Sequence, residues 1–277
     1  MTIKQILKKI IQPNNYSLEK EQQIVNSYLL NNGFQHISYK EPQDVFIVGF
    51  PKSGNTWIQN LISGVLFGID TNFLPDKLTQ ILIPNIHGSK HYKRILDFTC
   101  FKSHLLPQPE YKKVVYIVRD GRDSLVSYYH MIKAEGKDTT LREMVIDGKG
   151  IIPCKWHEHV RQWKENKYNA EILWIRYEDL HSKPLEEMRK FCDFVGIART
   201  DDTIQRSING NSFNNMQKKE EKFGWDNQKW NKEEKFIRKG KTGSYLEEMN
   251  PELIDYFNNE SKTELLALGY NLFPENK

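Results

Sequence analysis

The sequence has few of the features that mark disulfide-rich, zinc-binding or membrane-spanning proteins. Its three cysteines, Cys100, Cys154 and Cys192, lie far apart, and no CxxC pair is present. A disulfide framework or a zinc site is therefore not expected, and the reducing cytoplasm is the predicted compartment. The N-terminus lacks the continuous apolar core of a signal peptide, and no run approaches the ~18–20 apolar residues of a membrane-spanning helix.

The composition is that of an ordinary folded domain. Of the 277 residues, 38% are hydrophobic and 27% are charged, which excludes a disordered chain. No internal repeat and no long linker rich in proline, glycine or serine divides the sequence, so we predict a single domain over residues 1–277. The formal net charge of +4 is too small to indicate nucleic acid as a partner, but it suits an anionic small molecule.

Residues 1–40 are predicted to form a helical segment. Ile3, Ile6, Leu7 and Ile10 recur at helical spacing with lysines between them, a pattern typical of a basic amphipathic helix. Such a helix either packs onto the domain, which is the simpler interpretation, or lies on a membrane surface.

Three short apolar runs are predicted to be strands: Val45 to Gly49, Val114 to Val118 and Ile172 to Ile175. Their continuous apolar character is expected of strands that are covered on both faces, and a helical pattern follows each of them. The first helix carries one apolar stripe, formed by Ile58, Leu61, Ile62, Val65 and Leu66. This alternation predicts an α/β fold with a central parallel β-sheet flanked by helices, in which ligands bind at the carboxyl ends of the strands.

The segment PKSGNTW, residues 51–57, connects the first strand to its helix. Gly54 permits tight backbone geometry, so that successive backbone N–H groups can point at one phosphate from the start of the helix. Lys52 adds a cation, and Ser53, Asn55 and Thr56 add short polar donors. A plain strand-to-helix turn also favours these residue types. In a Walker A loop the lysine follows the last glycine, whereas here it precedes the glycine, which argues against a nucleoside triphosphate.

Two further motifs place basic residues at the same predicted edge of the sheet. YIVRDGRDSLVSYYH puts Arg119 at the end of the second strand and Ser127 two turns into the following helix. FIRKGKTGSY, nearer the C-terminus, contains Arg238, Lys239 and Gly240. Guanidinium groups bind phosphate in bidentate fashion. Two separate basic sites therefore indicate a ligand with two separated phosphates.

The motifs together resemble those of cytosolic-type sulfotransferases, and the chain looks like a bacterial member of that family. PKSGNTW, RDGRDSLVSYYH and RKGKTGSY are similar to the family's 5′-phosphosulfate loop, 3′-phosphate motif and C-terminal loop. FKSHLLP at 101–107 resembles the segment that carries the catalytic histidine, and WIRYEDL at 174–180 resembles another family landmark. The five motifs follow family order over about residues 45–245. The resemblance implies a P-loop-like sulfotransferase fold.

The resemblance also implies 3′-phosphoadenosine 5′-phosphosulfate (PAPS) as the sulfo donor and adenosine 3′,5′-bisphosphate (PAP) as the product. The residues that match the phosphosulfate loop are Lys52, Ser53, Gly54, Asn55 and Thr56. Those that match the 3′-phosphate site are Arg119, Ser127, Arg238, Lys239 and Gly240. Those that match the surroundings of the adenine are Trp57, Tyr177, Ser212, Phe213 and Met216.

The mechanism that the resemblance implies is an in-line displacement at sulfur. His104 would be the general base for a hydroxyl or nitrogen of a small-molecule acceptor, for example a secondary metabolite. Lys52 would stabilise charge on the leaving oxygen, and Lys102 would assist at the sulfo group. Ser127 would restrain Lys52 until the acceptor binds. No metal is required, because fixed cations replace magnesium.

Some parts of the chain leave alternatives open. The charged segment from about 217 to 243 is predicted to be a lid that closes over the donor, or else a solvated loop without a gating role. Asn55 stands where the family has threonine, and Ser244 follows where it commonly has aspartate. The family's dimer signature is not recognisable, so the oligomeric state stays open. The functional alternatives are a P-loop kinase or ATPase, a non-catalytic nucleotide-binding protein, and a membrane-anchored carbohydrate sulfotransferase.

Overall fold

The computed structural model describes residues 18–224 and 235–273. The strands are β1 Phe34–His36, β2 Val45–Val48, β3 His91–Lys93, β4 Cys100–Ser103, β5 Lys113–Val118 and β6 Glu171–Arg176. The first six helices are α1 Leu18–Asn31, α2 Asn55–Phe67, α3 Asp76–Leu82, α4 Gly121–Ala134, α5 Leu141–Asp147 and α6 Trp156–Glu165. The other six are α7 Tyr177–Ser182, α8 Pro184–Val195, α9 Asp201–Gly210, α10 Phe213–Phe223, α11 Pro251–Glu260 and α12 Lys262–Ala267. Short 3₁₀ turns occupy Thr71–Phe73 and Ser244–Glu247.

A four-stranded parallel sheet with the order β4-β2-β5-β6 forms the centre of the fold. Val48, the last residue of β2, is level with Ser103 on β4 and with Tyr116 on β5. Val118 ends β5 level with Arg176 on β6. The carboxyl ends of all four strands therefore meet at one edge, where a ligand site is expected. Strands β1 and β3 form a separate antiparallel pair.

Alternating residues of the central strands face two different hydrophobic cores. Phe46 and Val48 belong to one core cluster, whereas Val45 and Ile47 belong to the other. The predicted stripe of helix α2 packs into the second cluster, and each of its five residues is at most 3% exposed. Since burying one such side chain stabilises the fold by about 1.5–3 kcal/mol, this stripe fixes α2 against the sheet.

The DGR part of RDGRDSLVSYYH, residues 120–122, connects the sheet to the C-terminal region. Asp120 caps helix α4 by accepting a hydrogen bond from the backbone N–H of Arg122 at 2.9 Å. The buried Arg122 guanidinium pairs with the Asp120 carboxylate at 2.7 Å and donates to the carbonyls of Asn271 and Leu272. A buried arginine needs this full set of partners, so the motif has a structural role beside its predicted binding role.

Three local features differ from the sequence predictions or lie beyond them. Cys100–Ser103 forms the edge strand β4, which was not predicted. The predicted lid begins as helix, because residues 217–223 belong to α10, and residues 225–234 lie outside the described residues. The predicted amphipathic helix around Ile3 to Ile10 also lies outside them. In the described part of residues 1–40, helix α1 spans Leu18–Asn31 and strand β1 follows it, and the helical segment predicted over 1–40 stays a prediction.

Among residues 18–224 and 235–273, none of the helices is long and apolar enough to cross a membrane.

Candidate functional site

A cavity of about 580 Å³ opens at the carboxyl edge of the sheet. It is lined by most of the residues predicted from the motifs, namely Lys52, Gly54, Asn55, Thr56, Trp57, Lys102, His104, Arg119, Ser127, Tyr177, Phe213, Met216, Arg238, Lys239 and Gly240. Ser53 and Ser212 are not among the lining residues. Ser53 is fully buried beside Ser124, and Ser212 caps helix α10. A part for these two serines in donor binding stays a prediction.

The first loop has the backbone shape of an anion cradle. Gly54 has a φ of 101°, and a Cβ at this position would lie 2.6 Å from Cδ2 of Tyr177, so a side chain is excluded there. Lys52 also has a positive φ of 68°, which is strained for a residue with a side chain. Helix α2 begins directly afterwards, and the N–H groups of its first turn lack partners within the helix. Such a helix start attracts anions.

Asn55, which departs from the family pattern, braces this loop from inside. Its side chain is 3% exposed, and Nδ2 donates a hydrogen bond to the carbonyl of Phe50 at 3.0 Å. The amide therefore closes the loop on itself at the point where the strand leads into the helix. Its Oδ1 is buried without a hydrogen-bond partner and remains available as an acceptor.

Lys52 is partly buried, and it lies among other cations in the cavity. Burial, together with the charges of Lys102 and Arg119, lowers the pKa of Lys52 to about 7. Its ammonium lies 3.4 Å from the ring centroid of Phe236. The backbone N–H of Phe236 donates at 2.6 Å to the carboxylate of Glu220 on helix α10, which helps to hold the ring there. A buried ammonium close to other cations has a strong affinity for an anion.

His104 follows strand β4 and has one defined tautomer. Its Nδ1 lies 2.8 Å from the carbonyl oxygen of Gly49, which can only accept, so Nδ1 carries the proton. Burial and the nearby Lys102 charge lower the pKa of His104 to about 3. At neutral pH Nε2 is therefore an unprotonated base, which is the form that a general base requires.

Two further histidines, neither predicted from the sequence, fix the backbone of His104. His87 accepts the backbone N–H of His104 through Nε2 at 3.1 Å, and its ring stacks on the His104 ring with centroids 5.8 Å apart. On the other side, Nε2 of His159 donates to the carbonyl of His104 at 3.2 Å. The hydroxyl of Tyr116 lies 2.7 Å from Nδ1 of the same ring. The base is thus held from both sides.

Lys102 lies in the part of the site that joins strand β4 to the first loop. Its ammonium donates a hydrogen bond to Oγ1 of Thr56 at 3.1 Å. Burial lowers the pKa of Lys102 as well. The contact brings together two residues that were predicted from separate motifs.

The second basic motif forms another cationic region of the same cavity. Arg119 is only 8% exposed, and its guanidinium lies 4.5 Å from the ring centroid of Tyr177. One terminal nitrogen donates to the carbonyl of Lys241 at 2.8 Å, whereas Nε is buried and has no hydrogen-bond partner among residues 18–224 and 235–273. Gly240 packs so closely on Phe213 that a Cβ would lie 2.3 Å from its ring. Arg119 therefore retains an unused buried donor beside a tightly closed loop.

Asp123 joins the two basic motifs, a role that the sequence analysis did not assign. Its buried carboxylate accepts the backbone N–H groups of Gly243 and Tyr245 at 2.7 and 2.9 Å, and the hydroxyl of Ser244 at 3.0 Å. Arg119 lies 3.7 Å away. Burial, with smaller opposing contributions from these partners, raises the pKa of Asp123. One carboxylate thus fixes the position of the C-terminal loop against helix α4.

Aromatic and thioether side chains form an apolar part of the cavity. The rings of Trp57 and Tyr177 meet edge to face with centroids 5.5 Å apart. The indole N–H of Trp57 donates to the carbonyl of Asn211 at 2.9 Å, which fixes the plane of the ring. Phe213 and Met216, on helix α10, line the same cavity. Such flat and polarizable faces suit a purine base.

Glutamates also lie against the C-terminal basic loop, and the sequence analysis did not identify them. Arg238 donates to Glu248 at 2.6 Å, and Lys239 bridges Glu247 at 2.7 Å and Glu248 at 2.9 Å. Both cations of the loop thus face carboxylates as well as the cavity.

In the described part of the chain, no group of three or more His, Cys, Asp or Glu side chains is arranged to hold a metal ion. Whether the reaction proceeds without a metal stays a prediction.

Comparison with known proteins identifies the class of enzyme. The family model described as "Sulfotransferase domain" matches residues 42–267, more than half of the chain, so the chain belongs to the sulfotransferase family. Human sulfotransferase 1C2 is 28% identical over 224 residues, covering 72% of this chain and 74% of that protein. Bovine sulfotransferase 1E1 is 27% identical over 197 residues, covering 63% and 66%.

Solved structures show the same fold. Mouse sulfotransferase SULT7A1 complexed with PAP superposes with a TM-score of 0.60 at 21% identity, covering 84% of this chain and 91% of that one. Retinol dehydratase in a complex with retinol and PAP gives a TM-score of 0.62 at 20% identity, covering 84% of each chain. The predicted family, the parallel α/β fold and the activity of a sulfotransferase are confirmed, and the kinase alternative is not favoured.

Proposed function

We propose that this chain transfers a sulfo group from PAPS to a hydroxyl or nitrogen of a small-molecule acceptor, and that PAP is the second product. The observation that carries the proposal is a single cavity in which two cationic regions, an aromatic region and a neutral imidazole come together. The two cationic regions suit the two phosphates of the donor, and the aromatic region suits its purine. The imidazole suits the proton that the nucleophile loses.

The residues present fit the donor. The start of helix α2 and Lys52 suit the 5′-phosphosulfate. The first N–H groups of the helix and the lysine ammonium belong to the same loop, which lines the cavity. Arg119, with its unpartnered buried Nε, suits the 3′-phosphate, together with Ser127 and the C-terminal loop. The adenine would lie against Trp57 and its aromatic neighbours. The donor supplies the activated sulfo group.

The chain's own residues would supply proton transfer and charge stabilisation. Nε2 of His104 is free to accept the proton that the acceptor loses when its oxygen or nitrogen bonds to sulfur. The Lys52 ammonium would stabilise the negative charge that develops on the departing phosphate oxygen. Lys102, which donates to Thr56, would contact the sulfo oxygens. Ser127 would restrain Lys52, although in this structure the ammonium contacts Phe236.

The acceptor would enter on the side of the cavity lined by Tyr128, Met131 and Ile152. Ile152 is 68% exposed, so the mouth of the cavity presents an apolar surface. One solved structure of retinol dehydratase contains androsterone, and another contains retinol. A small organic acceptor with a hydroxyl or amine is consistent with this wall. We further propose a cytoplasmic location, which suits the three free cysteines.

Thermal denaturation in magnesium-free buffer tests the donor. At about 100 times its dissociation constant, PAP is expected to stabilise the fold by about 2.7 kcal/mol and to raise the melting temperature by roughly 5 °C or more. ATP at the same concentration should give a much smaller shift, since it lacks a 3′-phosphate. Stabilisation by ATP and magnesium, with none by PAP, would contradict the proposal.

Donor affinity should also depend on pH through Lys52. Because its pKa is about 7 in the free protein, the ammonium is partly deprotonated above that pH. Bound phosphates favour the protonated form, so binding takes up a proton and the Kd for PAP should rise above pH 7, by up to about tenfold per unit. Calorimetry in buffers of different ionisation enthalpy would measure this uptake. A Kd that stays constant to about pH 9 would contradict the assignment of Lys52.

A further inference from the structure

The Glu248 carboxylate collects three cationic or donor groups around the C-terminal basic loop. Arg238 donates to it at 2.6 Å and Lys239 at 2.9 Å, and Nε2 of His130 on helix α4 forms a third hydrogen bond. Burial opposes ionisation of this group, but the hydrogen bonds outweigh it and lower the pKa of Glu248 to about 2. The carboxylate is therefore fully charged at neutral pH.

This carboxylate faces the same two cations that would bind the 3′-phosphate of the donor. Arg238 and Lys239 both line the cavity, so a phosphate that reaches them must share their charge with Glu248. Like charges held within a few ångströms in a partly buried site repel each other strongly. Glu248 is only 19% exposed at its side chain, so solvent screens this repulsion less than at an open surface.

We propose that Glu248 sets the affinity of the donor site: it competes with the 3′-phosphate for Arg238 and Lys239 and thereby promotes release of PAP. The inference rests on the proposed function, since it assumes that a 3′-phosphate binds at these residues. When the nucleotide leaves, the two cations already have an intramolecular partner. The two partly exposed cations are then not left without a counter-charge, which would otherwise favour retention of the product.

The test is Glu248→Gln, which removes the charge but keeps a side-chain oxygen to accept from Arg238. Calorimetry would compare PAP with adenosine 5′-monophosphate, which differs from PAP only in lacking the 3′-phosphate. We expect the variant to bind PAP about tenfold more tightly, with a change of less than about twofold for the second ligand. A residue with only a structural role would not produce a gain that depends on the 3′-phosphate.

Two matched variants serve as controls. Glu252→Gln makes the same charge change at an exposed residue that pairs with Arg142 at 3.3 Å, and it should leave both affinities unchanged. Of the two donor-site cations Arg238 and Lys239, Glu247 contacts Lys239 alone. Glu247→Gln should therefore give a smaller gain in PAP affinity than Glu248→Gln. Equal gains in all three variants would overturn the inference, because they would reflect net charge alone.

The outcomes separate this inference from the proposed function. If the wild-type protein does not prefer PAP to adenosine 5′-monophosphate, the 3′-phosphate site itself is wrong. If the wild type shows that preference but Glu248→Gln binds PAP equally or more weakly, only the role of Glu248 is wrong. A melting curve of Glu248→Gln, compared with that of Glu252→Gln, shows whether the variant is folded. A loss of affinity can then be distinguished from misfolding.

Discussion

Replacement of His104 by alanine is expected to lower turnover by roughly 10²–10⁴ while the Kd for PAP stays nearly constant. The imidazole is the neutral base that the geometry of the site provides, with Nδ1 bound to the Gly49 carbonyl and Nε2 free. Its removal takes away the proton acceptor and leaves the phosphate-binding cations in place. Steady-state kinetics and calorimetry with PAP would measure the two effects separately.

The matched control for this prediction is His104→Asn. An asparagine amide can replace Nδ1–H as a donor to the Gly49 carbonyl, but it has no basic nitrogen. We expect it to retain the melting temperature and to be as slow as the alanine variant. If asparagine restored turnover, the histidine would act by holding the loop in place, and its assignment as the base would be wrong.

Replacement of Arg119 by alanine is expected to weaken PAP binding by about 1.5–3 kcal/mol, the value of a hydrogen bond to a charged group. The guanidinium has one buried nitrogen without a partner and lies beside the loop that carries Arg238. Calorimetry with PAP would give the loss directly. Adenosine 5′-phosphosulfate, which lacks the 3′-phosphate, should bind the variant almost as well as it binds the wild type.

Arg119→Lys distinguishes charge from geometry at this position. Lysine keeps the positive charge but cannot form the bidentate contact of a guanidinium. We expect an affinity for PAP between those of the wild type and the alanine variant. Equal PAP affinity in all three proteins would remove Arg119 from the 3′-phosphate site.

The sheet and its helices could be predicted where the burial of a segment leaves a recognisable pattern of apolar residues in the local sequence. The run Val114 to Val118 is apolar because β5 has neighbours on both edges and both faces, and the structure places the strand at Lys113–Val118. Strand β4 was missed because it is a four-residue edge strand whose Lys102 faces the cavity. Its pairing with β2, more than fifty residues earlier, leaves no local pattern.

The same distinction between local sequence patterns and long-range contacts applies to the residues of the site. Lys52 and Arg119 belong to contiguous motifs, and each follows a strand, so local sequence was enough to predict that both lie at the cavity. Asp123 and Glu248 were missed because their partners lie far along the chain: Asp123 binds Gly243, and Glu248 binds His130. Charged residues of this kind resemble ordinary surface residues until the fold brings their partners beside them.

The hydrogen bonds from residues 243–245 to the Asp123 carboxylate act as a clamp. This clamp has a consequence for how the enzyme could be altered. It fastens the C-terminal basic loop to helix α4 across a separation of 120 residues in the sequence. The intervening chain includes the wall around Ile152 but takes no part in that clamp. Exchange of the segment around Ile152 for one from another sulfotransferase should therefore change the acceptor side of the cavity while the contacts of Asp123 keep the C-terminal loop in position.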